Sequence, residues 1–177
     1  MIFFVRDHAF LDEQRQAFLT RILGCVLQGD RRKVIRNGPD GLRTYLDSWY
    51  ANHKGGGFVK STGTVQWFNR GDLRHSRHRK TMQDNEFISL AAWDVLRGKN
   101  EGVDLVKDHA VPVCIMYDEM VSANLKSTGD IERYLLERYR FGILTGEEDR
   151  RLTSAKLRKR MPEGNTSVYA RTIMPMC

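Results

Sequence analysis

Two stretches decide how this chain is read: LVKDHAVPV, residues 105–113, and FGILTGEEDRRL, residues 141–152. In the first, Val103 to Lys107 predicts a short strand that delivers Asp108 and His109 at its end, just ahead of Pro112, which has no N–H and cannot extend a ladder. A histidine so placed is aimed by rigid backbone. In the second, Phe141 to Thr145 predicts a strand that runs directly into a helix from Gly146 to Leu152. Thr145 and Glu148 have the spacing of a capping box, in which the threonine hydroxyl takes the Glu148 N–H and the carboxylate reaches back. The box accounts for Glu148. Asp149, one residue on, places a negative charge that complements the helix dipole, worth a few tenths to about 1 kcal/mol.

Between the two stretches the pattern predicts helices from Val111 to Ser122, with Pro112 in the first turn, and from Asp130 to Tyr139. Before them, Asn85 to Arg97 (NEFISLAAWDVLR) reads as a helix with Asp84 or Asn85 as its cap and Gly98 closing it. A strand from Ile2 to Val5 leads into a helix from Leu11 to Gln28, whose Phe18, Ile22, Cys25 and Val26 recur at helical spacing. A further helix spans Pro39 to His53, with His53 at its end, and Gly55-Gly56-Gly57 then breaks the chain. No GxxxxGK[ST] pattern accompanies those glycines, so a turn explains them better than a phosphate cradle. Phe58 to Asn69 is predicted extended; its Trp67 and Phe68 are either core residues or, beside Arg70 and Arg74, a stacking surface for bases. The expected whole is one α+β domain over residues 1–177: a mainly helical scaffold and basic segment over 1–83, a strand-strand-helix region over 84–163 and a surface tail over 164–177.

The chain is 41% hydrophobic and 29% charged, which excludes disordered and fibrous classes. Its three cysteines, Cys25, Cys114 and Cys177, lie far apart with no CxxC pair, which predicts reduced thiols and an intracellular, cytoplasmic protein, and argues against a structural zinc site. MIFFVRDH is too short an apolar start for a signal peptide, and no segment approaches the roughly 18 apolar residues of a membrane span, so no membrane role is expected.

Net charge is +7, and two runs hold it. RGDLRHSRHRK, residues 70–80, carries +4 through Arg70, Arg74, Arg77, Arg79 and Lys80 against Asp72; RRLTSAKLRKR, residues 150–160, carries +6 through Arg150, Arg151, Lys156, Arg158, Lys159 and Arg160. These runs together reach +10, leaving the remainder at −3. Cations segregated on a slightly acidic body point to a polyanion, because each phosphate contact releases counterions; a solvated basic face is the plain alternative. His75 and His78 in the first run read as solvated residues, as ligands, or as an acid/base pair of an RNA-cleaving toxin.

The Asp108-His109 strand end and the strand-to-helix passage at Thr145 together resemble the ββα-metal, or HNH-type, nuclease motif. Residues 86–163 are also similar to a group of phage and mobile-element proteins with Phe-Ile-Ser then Ala-Ala, Asp/Glu-His-x-Val-Pro-Val and Leu-Thr-x-Glu-Glu-Asp. The resemblance implies a metal-dependent nuclease acting on DNA, with His109 as the general base for water and Asp108 and Asp149 as ligands of Mg²⁺ or Mn²⁺. The two basic runs would then contact phosphates, and a homodimer is one way to cut both strands; Asp118 and Glu119, on the helix after His109, read either as supports that reach the site or equally as a solvated helix face. The chemistry is consistent: phosphodiester hydrolysis needs an activated water, an imidazole to take its proton and a cation to offset developing charge. Three departures stand beside it. Asp149 occupies a helix position usually held by His or Asn, the middle Asn has no counterpart closer than Asn124, and two helices separate the strands. They leave open a non-catalytic nucleic-acid- or protein-binding factor of a phage or mobile element, including a counter-defence protein, on a degenerate HNH scaffold.

Overall fold

A computed structural model of the chain describes residues 3–4, 8–35, 41–54, 58–59, 65–66, 87–100, 102–157 and 161. The architecture is α+β. The described helices are α1 (His8–Gln28), α2 (Arg31–Val34), α3 (Leu42–Lys54), α4 (Leu90–Leu96), α5 (Val113–Ser122), α6 (Thr128–Arg138) and α7 (Gly146–Ser154). The strands are β1 (Phe3–Phe4), β2 (Phe58–Val59), β3 (Val65–Gln66), β4 (Leu105–His109) and β5 (Phe141–Thr145). The chain divides into two compact units, Met1–Phe68 with Met116–Glu137, and Asn69–Ile115 with Arg138–Cys177.

In the first unit α1 packs on α3 and α3 lies against β3 of a small antiparallel sheet ordered β1-β2-β3. The α1 stripe read from the sequence is buried: Phe18, Ile22, Cys25 and Val26 lie in the core beside Leu19, together with Leu42, Leu46, Trp49 and Tyr50 of α3. Burial also pushes the Cys25 thiol above its ordinary value, which favours an inert side chain; Cys25 and Cys114 are not in disulfides. Ion pairs join the helix surfaces, Arg15 to Glu132 at 3.2 Å and Arg31 to Asp118 at 2.8 Å. His53 stacks flat on Trp49, with ring centroids 5.3 Å apart, one helical turn on and at the end of α3.

In the second unit β4 and β5 pair antiparallel, from Leu105 opposite Thr145 to His109 opposite Phe141. α4 packs on β5, while α7 folds back onto both strands. Several boundaries differ from the sequence reading, most by two or three residues at a helix end, and three of the differences change what a segment does. The helix predicted from Asn85 begins at Leu90: Phe87 to Ser89 instead runs beside β5, with Ile88 bridged in parallel to Ile143, Ile143 N–H donating to Phe87 O at 2.9 Å and Ser89 N–H to Ile143 O at 3.0 Å. Those two bonds hold the segment extended, and Ser89 becomes the cap by accepting from the Ala92 N–H at 3.1 Å. The predicted caps Asp84 and Asn85 lie outside the described residues. β4 starts at Leu105 and includes Asp108 and His109, because pairing with Gly142 and Phe141 extends the ladder past the apolar run. Phe58–Asn69 holds two short paired strands, β2 and β3. No described helix is long and apolar enough to cross a membrane. The Gly55-Gly57 turn, residues 67–86 and the tail over 164–177 lie outside the described residues.

Candidate functional site

β5 and α7 are joined through one buried carboxylate. Thr145 caps α7: its hydroxyl accepts from the Glu148 N–H at 3.3 Å, and Glu148 Oε2 accepts from the Thr145 N–H at 2.7 Å and from its hydroxyl at 3.0 Å, completing the capping box read from the sequence. The same Oε2 accepts from Ser89 Oγ at 2.6 Å, so the cap of α4 and the cap of α7 share it. Glu148 is buried, and these three donors offset the cost of taking its charge out of water.

At the other end of the ribbon lies the candidate base. His109 is only 2% exposed, and its Nε2 stands 3.2 Å from Tyr139 Oη with the rings edge-on at 76°. Both backbones are pinned: Ala110 N–H donates to Arg140 O at 2.9 Å, and Arg140 Nη1 donates to Tyr139 O at 2.7 Å. Sequence reading singled out His109 and missed Tyr139; a tyrosine at the end of an apolar helix reads only as core until its strand partner is known.

The three residues proposed for the metal chemistry come from the end of β4 and the opening of α7. Asp108 and His109 are successive on β4, so their side chains leave opposite faces, His109 with buried Leu105 and half-buried Asp108 with Val106. Asp149 is half-buried in the first turns of α7, which begins beyond Thr145 and packs back on β4 and β5. Among the described residues no three His, Cys, Asp or Glu side chains gather into a group able to hold a metal ion. The described side chains therefore form no cluster of three or more ligands, and no hydrolytic step through a metal follows from Asp108, His109 and Asp149.

Of the basic residues, Arg150, Arg151 and Lys156 are exposed on and just after α7. Arg150 Nε donates to Gly146 O at 3.2 Å, Arg151 pairs with Glu147 one turn earlier, and Lys156 takes a left-handed backbone, φ 59°. Arg70, Arg74, Arg77, Arg79, Lys80, Arg158, Lys159 and Arg160, and with them His75 and His78, lie outside the described residues. Asp118 pairs with Arg31, and Glu119 accepts from the Tyr134 hydroxyl. Asn124 follows α5 at φ 52°, the left-handed stop that asparagine tolerates at a helix end.

No family model, curated protein or solved structure matches the chain. The functional reading therefore stands on these residues and on the charge pattern.

Proposed function

We propose that this protein binds nucleic acid, DNA in preference, through its two basic runs, as a non-catalytic factor. The observation that favours binding over hydrolysis is the state of His109. The candidate base is buried in the core with its Nε2 against Tyr139, an arrangement that serves packing and satisfies two polar groups. Binding needs only the cations. Residues 150–160 carry six of them without an acid, and Arg150, Arg151 and Lys156 offer guanidinium and ammonium groups at an exposed surface.

A second reading, the metal-dependent phosphodiesterase, keeps one observation in its favour: an antiparallel strand pair carrying Asp108 and His109 is followed directly by a capped helix carrying Asp149. One experiment separates the two. Supercoiled plasmid is incubated at low salt with wild type and with His109→Ala, each in Mg²⁺, Mn²⁺ or EDTA, and binding to the same DNA is followed by mobility shift. Salt-sensitive retardation without nicking is the expected result. Nicking that requires both the metal and His109 would replace binding with hydrolysis as the function; nicking that survives EDTA would turn attention to His75 and His78.

A further inference from the structure

We propose that Tyr139 is the positioning residue of His109: its hydroxyl donates to Nε2 and holds the imidazole as the tautomer protonated on Nδ1. The geometry allows either direction of donation across the 3.2 Å contact. Relative acidity decides it. A phenol, with a pKa of about 10, is a far stronger acid than a neutral imidazole N–H, and an imidazole nitrogen, whose conjugate acid has a pKa of about 6.5, is a far better acceptor than a phenol oxygen. In a core where both rings are essentially sealed from water, O–H to N is the stronger arrangement.

The pinned backbone keeps the contact in register. Tyr139 stands two residues before Phe141, and Phe141 is the strand partner of His109. The rings meet edge to face with centroids 5.5 Å apart, so packing holds the imidazole plane while the hydroxyl selects its tautomer. Nδ1 is then left as a donor. A proton taken from water at Nε2 would require the Tyr139 hydroxyl to release that nitrogen; this consequence rests on the phosphodiesterase reading, whereas the tautomer does not.

The test is a long-range ¹H–¹⁵N correlation spectrum of the full ¹⁵N-labelled chain at pH 8, with His109→Gln used to assign the His109 ring. Wild type is expected to show the Nδ1–H pattern. In Tyr139→Phe, which keeps the ring and removes only the hydroxyl, the Nε2–H form should grow from a minor to the major species. A wild-type ring protonated on Nε2, or a tautomer unchanged by Tyr139→Phe, would overturn the proposal; if that variant fails to fold, the wild-type spectrum alone decides. Plasmid nicking on the same preparations keeps the two ideas separable. An Nδ1–H ring without nicking sinks the phosphodiesterase and leaves the lock, and nicking by an Nε2–H ring does the reverse.

Discussion

Glu148 shows how much one side chain can carry. Its Oε2 receives the Ser89 hydroxyl, the Thr145 hydroxyl and the Thr145 N–H, so it fastens the entry of α4 to the entry of α7. Glu148→Ala should cost about 2–4 kcal/mol, because it strands buried donors as well as losing the cap, while Glu148→Gln, which still offers a carbonyl oxygen, should cost about 1 kcal/mol. Urea unfolding at constant m-value measures both. Tyr117 is the opposite case. Its hydroxyl is buried with no hydrogen-bond partner among the described residues, and burial, then the nearby Asp118, pushes its pKa up. Tyr117→Phe should leave the thermal midpoint unchanged or raise it, by up to about 1 kcal/mol of stability. A clear drop in the midpoint would mean that the hydroxyl is satisfied in solution.

Among the helices, caps are where side chains decide boundaries. α6 is opened by Ser127, whose Oγ accepts from the Asp130 N–H at 3.1 Å and donates to Asp130 Oδ2 at 2.7 Å. That hydroxyl, with Arg133 nearby, holds the Asp130 carboxyl below its ordinary value. A depressed carboxyl contributes stability that is present above its unfolded pKa and lost as pH falls through the folded one. The thermal midpoints of wild type and Asp130→Asn should therefore differ at pH 6 and converge as pH falls below the ordinary carboxylate range. A gap that stays constant with pH would mean that the Asp130 charge contributes nothing. The capping box at Thr145 was legible in the sequence because it is entirely local, four residues that satisfy each other. The start of α4 was not, since Phe87 and Ile88 continue the apolar helical pattern yet are held extended by Ile143, more than fifty positions away.

For the whole molecule the governing quantity is charge, +10 concentrated in two runs against −3 elsewhere. If the runs meet phosphates, log K for a DNA duplex falls linearly with log salt, with a slope of about −0.9 for each phosphate neutralised. Replacing Arg158, Lys159 and Arg160 together by Ser should reduce the magnitude of that slope by about 2–3 and weaken all sequences alike. Fluorescence anisotropy over a salt series checks this, and an unchanged slope would remove that run from the interface.

The sequence by itself determined the α+β class, the helical stripe of α1, the β5-to-α7 passage with its cap and the segregation of charge. Each depends on residues a few positions apart or on composition, where periodicity and local hydrogen bonding act directly. Only the tertiary structure decided the candidate site. The pairing register placed His109 opposite Phe141 and sent Asp108 to the other face, and Tyr139, thirty residues along, came to rest on the imidazole. Strand pairing and burial join residues that share no local pattern, so what a histidine can do is fixed by the neighbours that folding brings to it.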